Sequence, residues 1–241
     1  MRIHRYGMVT STNDIAIEML RRGEPERTVV TALSQSSGRG RRGRSWIDKP
    51  GDCAMISVIL TPGRPISEMG ELTFVMSLGV ADYLEMNHNL EPALKWPNDV
   101  LVGDRKIVGI LVETVNGSGA VAGIGLNVNQ VEMANEIKDT ATSVAIETGH
   151  QSNIDEACER LAAKVLEVYD HYLSSGFDEI LRRWRERMWG IGRMVEVSSE
   201  AGSIEGTIDG VKPSGALIVK CADGSLHAIH AADAIRVIRN T

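Results

Sequence analysis

The sequence predicts an α+β protein in two parts: a sheet with packed helices over residues 1–190, then a small β-barrel over residues 191–241. Three observations predict it. Runs with helical spacing alternate with short β-branched runs through the first part. After Gly192 the pattern changes to short strand-like runs broken by Gly, Pro, Asp and Ser. The 241 residues also suffice for one large domain with its own core and one small one.

The elements follow in order. Ser11 to Arg22 reads as a helix, with Ser and Thr as caps, Ile15, Met19 and Leu20 at helical spacing, and Gly23 as the stop. Thr28 to Leu33 reads as a β-branched strand. Ala54 to Leu60 is an apolar strand closed by Thr61-Pro62-Gly63, and Ser67 to Met86 is a long helix. Leu94 to Glu113 reads as a strand, a loop at Pro97 and a hairpin turning at Gly103-Asp104. Ala120 to Asn129 is a further strand, and helices are expected near Ile154 to Tyr172 and Phe177 to Met188.

Hydrophobic residues make up 43% of the chain and charged residues 24%, as in ordinary globular proteins. No apolar run is long enough to span a membrane, and MRIHRYGMVTSTND lacks a signal-peptide core, so a cytoplasmic protein is expected. A net charge of −6 argues against a general nucleic-acid binder. Cys53, Cys158 and Cys221 are few and far apart, and the histidines form no ligand cluster. Neither a disulfide framework nor a structural metal is expected.

Against that acidic background, Ser34 to Ile47 holds four arginines and no acid. Within it, Gln35-Ser-Ser-Gly-Arg39-Gly40-Arg41-Arg42-Gly-Arg44-Ser-Trp46 joins glycines, which allow close backbone approach, to arginines, which fork onto carboxylate and phosphate oxygens. Each arginine–anion contact at ~4 Å is worth about 4 kcal/mol near a surface, before desolvation. The loop should therefore be mobile until a compact, multiply charged ligand orders it. A solvated basic loop, or one contacting RNA, has the same composition.

Lys95-Trp96-Pro97-Asn98-Asp99 sets a cation, a ring, an amide and a carboxylate at a strand end, a combination suited to a magnesium-bound triphosphate or to a plain turn. Lys106 opens a strand on which simple alternation places it with Val108, Ile110 and Val112, opposite Ile107, Gly109, Leu111 and Glu113. There it either snorkels out or serves a buried anion. Gly123-Ile-Gly-Leu-Asn-Val-Asn129 puts Gly123, Gly125, Asn127 and Asn129 on one face, a bare surface suited to a flat ligand.

Ser11-Thr12-Asn13, Gly38-Arg-Gly-Arg-Arg-Gly-Arg44 with Trp46, Lys95-Trp-Pro-Asn-Asp99, Lys106-Ile-Val-Gly-Ile-Leu111 and Gly125-Leu-Asn127 occur in the order and spacing of biotin protein ligases. The chain resembles that family closely over residues 1 to about 130 and more loosely in the C-terminal part. The resemblance implies a mixed-sheet catalytic domain of the type shared with class II aminoacyl-tRNA synthetases, and an SH3-like C-terminal barrel. It implies formation of biotinyl-5′-AMP from biotin and ATP with Mg²⁺, then transfer to a lysine of a biotin carboxyl carrier protein or domain.

By matching positions, Ser11, Thr12, Asn13 and Gln35 would bind the ring end of biotin. Arg39, Gly40 and Arg41 would cover its carboxylate and the α-phosphate, with Lys106 reaching the same oxygens and Gly109 beneath. Arg42, Arg44, Trp46, Asn98 and Asp99 would serve the triphosphate, adenine and Mg²⁺, the metal through Asp99, and Asn127 the adenine side. A homodimer is compatible with the resemblance. Some relatives carry an N-terminal DNA-binding segment; with Ser11 so early in this sequence, no DNA partner and no repressor function are expected. Relatives often end in Gly-Glu with a nearby arginine, where this chain has Ala232-Asp233-Ala-Ile-Arg236, so an ATP contact by Arg236 is not carried over.

The nearest alternative is a lipoate or octanoate ligase or transferase of the same fold, which would carry a glycine triplet where this chain has Gly-Arg-Ser-Trp. An RNA-binding reading of the arginine loop would need a broad basic face and more than 4% aromatic residues. If the loop is a lid over a reactive mixed anhydride, Arg41→Gly should release adenylate and label nearby lysines indiscriminately. Mass-spectrometric mapping of the labelled lysines checks this, and unchanged selectivity would count against the lid.

Overall fold

A computed structural model of the chain describes residues 1–46, 49–115, 119–199 and 202–238. A seven-stranded mixed sheet is built from β1 (Arg2–Val9), β2 (Thr28–Gln35), β3 (Cys53–Leu60), β4 (Pro92–Lys95), β5 (Asp99–Val102), β6 (Arg105–Val115) and β7 (Gly119–Asn127), in the order β1-β2-β3-β7-β6-β5-β4. Among these strands only β1 and β2 pair in parallel, because helix α1 (Thr12–Arg21) supplies the crossover that a parallel pair requires. Antiparallel pairing carries the rest of the sheet.

Side-chain alternation divides the central strands between two layers. In β3 every residue is buried: Ala54, Ile56, Val58 and Leu60 enter the main core, while Met55, Ser57 and Ile59 point the other way. In β7, Ala120, Ala122, Ile124 and Leu126 follow the first group. The second face carries a smaller core of Ala16, Leu20, Val30, Ile59, Val115 and Val121 under α1. The main core is roofed by α2 (Glu71–His88), α4 (Ile154–Ser175) and α5 (Phe177–Glu186). Helix α2 is apolar almost all round, as expected for a helix wedged between a sheet and other helices.

The elements read from sequence are present, with ends shifted by a few residues: the helix expected over 67–86 runs Glu71–His88, after a single 3₁₀ turn at Ile66–Glu68. The hairpin turn is at Gly103-Asp104, with φ of 55° and 65°. Two elements went unforeseen. Strand β1 is a mostly exposed edge strand with no apolar alternation, and α3 (Val144–Thr148) is a five-residue helix capped by the Ser143 hydroxyl, which accepts from Ile146 N at 3.0 Å.

The placement of Lys106 differs from simple alternation. Val100 pairs with Val108 but Leu101 pairs with Lys106, so Ile107 is an extra residue in a β-bulge. The bulge turns Lys106 onto the Gly109 face: a Cβ on Gly109 would lie 3.1 Å from its Nζ. Ile107 and Val108 are both fully buried.

The C-terminal part is a five-stranded antiparallel sheet of β8 (Met194–Ser199), β9 (Gly202–Val211), β10 (Leu217–Lys220), β11 (Leu226–Ile229) and β12 (Ala234–Val237), in the order β11-β10-β9-β8-β12. Its Val195, Val197, Ile208, Leu217 and Val219 belong to the same buried cluster as the main core. Trp96 Nε1 donates to Gly215 O at 2.9 Å and Lys95 Nζ to Ile235 O at 3.1 Å, so the β4–β5 corner is pinned to this sheet. Among the described residues no helix is long and apolar enough to cross a membrane.

Helices α2 and α4 touch at Gly79, where an added Cβ would come 2.7 Å from Val165 Cα. Overpacking of this kind costs about 1–3 kcal/mol, against about 1 kcal/mol gained from alanine's helix propensity. Gly79→Ala is expected to lower stability by roughly 1–2 kcal/mol in urea denaturation.

Candidate active site

The sheet face under α1 ends in a cavity of about 260 Å³, open to solvent beside the N-terminus of that helix. Every site residue expected from the sequence lines it except Asn127. Asn127 is buried instead in a structural role: its Nδ2 donates to Thr142 O at 2.9 Å and its Oδ1 accepts from Gln130 Nε2 at 3.3 Å. Asn129 ties Gly51 O and Ser152 O together at 3.0 Å each. Arg236 is exposed on β12 and lies outside the lining.

One end of the cavity is neutral and tightly bonded. Ser11, Thr12 and Asn13 are buried where α1 begins. Thr12 N donates to Gln35 Oε1 at 2.7 Å, and the buried Ser57 hydroxyl lies 2.8 Å from Thr12 Oγ1 and 2.6 Å from Asn13 Oδ1. Asn13 Nδ2 donates to Glu113 Oε2 at 2.7 Å. Ser57 and Glu113 were not expected as site residues. The signal for Ser57 was legible, since it is the lone hydroxyl in the apolar run Cys53–Leu60.

The glycines of the floor make room for the chain's own side chains. A Cβ on Gly123 would fall 2.3 Å from Asn13 Oδ1, and one on Gly125 would fall 2.7 Å from the Trp46 ring. Gly109 would meet the same indole at 3.1 Å. Trp46 thus covers part of the face that alternation had left bare, and its Nε1 is buried with no hydrogen-bond partner among the described residues. The indole and the Lys106 ammonium lie about 6.0 Å apart.

The other end is cationic, and each of three cations is held by a carboxylate. Arg39 forks onto Asp14 at 2.8 and 2.6 Å and reaches Glu113 at 3.3 Å. The Asp14 hydrogen bond is the main reason its guanidinium is held above its usual range, with burial opposing. Arg42 pairs with Asp233, and Arg44 donates to Asp233 O at 2.6 Å. Lys106 Nζ lies 2.7 Å from Asp99 Oδ1. Burial, and then the neighbouring Arg42, lower the Arg41 guanidinium, while burial lowers the Lys95 ammonium. Ala232 to Ile235 of the C-terminal part complete the wall.

Asp14, Glu113 and Asp233 are each about a third or more exposed, and such pairs contribute only about 0.2–1 kcal/mol apiece. A triphosphate or carboxylate that brings several oxygens at once can displace them. The cavity is therefore a site for an acid whose neutral end is hydrogen-bonded and whose charged end meets further anions: the class of site found in enzymes that activate carboxylates.

The chain belongs to the biotin/lipoate A/B protein ligase family, whose model matches residues 6–129. The biotin protein ligase C-terminal domain model matches residues 190–237. A bifunctional ligase/repressor of Bacillus spizizenii is 30% identical, over 94% of this chain and 71% of its own. A biotin–[acetyl-CoA-carboxylase] ligase of Paracoccus denitrificans is 34% identical, over 79% of this chain and 83% of its own. The structure of the Aquifex aeolicus biotin protein ligase with biotin and ATP is similar at a TM-score of 0.87 and 28% identity, covering 98% of this chain and 99% of that one.

Asp233 acts as a latch between the arginine loop and the C-terminal sheet. Asp233→Asn is expected to speed tryptic cleavage after the loop arginines several-fold in ligand-free protein, with little change in melting temperature. Timed digestion followed by mass spectrometry checks it.

Proposed function

We propose that this chain is a biotin protein ligase acting on a biotin carboxyl carrier protein or domain. A carboxylate oxygen of biotin attacks the α-phosphorus of ATP and pyrophosphate leaves, giving biotinyl-5′-AMP. The ε-amine of a carrier lysine then attacks the acyl carbon, AMP departs and the amine loses a proton. The observation that carries this reading is the convergence of Arg39, Arg41, Arg42, Arg44 and Lys106 on one cavity whose opposite end is neutral and hydrogen-bonded.

The division of labour follows from charge. Ser11, Thr12, Asn13 and Gln35 take the ring end of biotin. Arg39, Gly40, Arg41 and Lys106 gather the carboxylate and the α-phosphate, two anions that repel each other in water. Fixed cations at that point lower the barrier by orientation and electrostatic preorganisation. Arg42, Arg44, Trp46 and Asn98 serve the nucleotide. The names of the Paracoccus and Aquifex relatives support biotin and ATP as the substrates.

Magnesium fits this site only as a companion of the nucleotide. Among the described residues no three His, Cys, Asp or Glu side chains come together as ligands. Asp99 is the carboxylate placed to hold the ion against the phosphates, as magnesium sites commonly combine one or two carboxylates with substrate oxygens. Its present partner Lys106 would then be released toward the α-phosphate.

We assign residues 1–190 to the catalytic part and residues 191–241 to a part that closes its wall through Asp233. A second cavity of about 610 Å³ meets Arg41, Trp96 and Asn98 from the side of Ser214 to Ala216, leaving the acceptor a path that biotin and nucleotide do not fill. We place the enzyme in the cytoplasm, where its nucleotide is available.

ATP–pyrophosphate exchange tests the reading directly, with biotin, lipoate and octanoate supplied in turn. Exchange driven by biotin alone is expected, as is mass gain on a carrier domain. Exchange with lipoate or octanoate but not with biotin would overturn the assignment.

A further inference from the structure

Donor and acceptor accounting at the neutral end of the cavity gives Glu113 a specific task, an inference that rests on the ligase reading above. Asn13 uses both of its amide protons, one on Glu113 Oε2 at 2.7 Å and one on Leu111 O at 3.3 Å. A carboxylate and a carbonyl can only accept. Turning the amide over would set Asn13 Oδ1 against two acceptors, so one orientation is enforced where an isolated asparagine would be ambiguous. Arg39, 3.3 Å away, braces Glu113 from its other side.

The consequence passes along the buried chain. Asn13 Oδ1 faces the Ser57 hydroxyl at 2.6 Å, and since Oδ1 has no proton, Ser57 donates. Having spent its one proton, Ser57 accepts from Thr12 Oγ1 at 2.8 Å. Thr12 and Asn13, both in the cavity lining, therefore meet a ligand with lone pairs and no free proton.

We propose that Glu113 is a specificity-determining positioning residue: by locking the Asn13 amide it makes this end of the cavity an acceptor surface, which selects an acid ending in N–H groups, such as a cyclic urea, over one ending in an alkyl chain or a dithiolane. An acid without N–H donors leaves buried oxygens unpaired, and a site built for a hydrogen bond rejects such ligands strongly.

The test compares biotin, desthiobiotin (which keeps both ureido N–H groups) and octanoate in pyrophosphate exchange on the full chain. In Glu113→Gln the new amide can turn either way, and Asn13 is no longer locked. The KM for biotin and for desthiobiotin should each rise roughly tenfold, the worth of about one hydrogen bond. The KM for ATP and the kcat should move less than about twofold, and use of octanoate should not fall.

A polarity inversion supplies a second variant. Asn13→Asp alone sets two carboxylates face to face and should lose biotin use more than about tenfold. Adding Glu113→Gln restores a donor opposite the introduced carboxylate, which keeps an acceptor oxygen toward the cavity, and should recover at least about tenfold of that loss. Circular dichroism verifies that each variant is folded. Parallel shifts for biotin and octanoate in Glu113→Gln, or no recovery in the folded double variant, would overturn the role of Glu113 and leave the ligase reading standing. No biotin-driven exchange in the unaltered chain would overturn both.

Discussion

The geometry of this protein depends on how the positive charge of the arginine–glycine loop is balanced. Residues that attract two anions must be kept apart from one another and from water when no ligand is present. Here Asp14 on α1, Glu113 on β6 and Asp233 beside β12 hold Arg39 and Arg42, while Asp99 on β5 holds Lys106. The carboxylates come from both parts of the chain, so the loop knits helix, sheet and C-terminal part together. Partly exposed pairs are weak enough to exchange for phosphate oxygens. Stability and function therefore draw on the same contacts.

The mixed sheet supplies what the loop cannot, a rigid surface of known polarity. Opposite parity in β3 and β7 puts aliphatic side chains on the α2–α4 side and Ser57, Gly123 and Gly125 on the α1 side. The bulge at Ile107 moves Lys106 from the first side to the second without disturbing the core beneath it. One extra residue in a strand thus decides whether the ammonium snorkels at the core edge or faces the reacting oxygens. Bulges beside functional sites commonly re-aim a side chain in this way.

The C-terminal sheet is part of the site. Lys95 and Trp96 bond to it, Arg42 and Arg44 meet it at Asp233, and residues 232–235 wall the cavity. In the motif at residues 95–99, only Asn98 and Asp99 remain for chemistry in the reading proposed here. Lys95, lowered by burial and lying 4.6 Å from the Trp189 ring, serves the junction between the two sheets.

Local residue types determined much of this protein. Period and capping marked the long helices, Gly103-Asp104 marked the hairpin, and the five motifs in register marked the family and nearly all of the cavity lining. Strand β1 was not legible because an exposed edge strand needs no apolar alternation, and α3 because five residues hold too little periodicity. Tertiary structure alone decided which partner each charged group takes. Glu113 looked like any strand-end acid until folding brought Asn13 and Arg39 to it from about 100 and 74 residues away. The glycine face likewise became a seat for Asn13 and Trp46. Parity within a strand is a local property of the backbone, whereas the distance between charges far apart in sequence exists only once the sheet has been assembled.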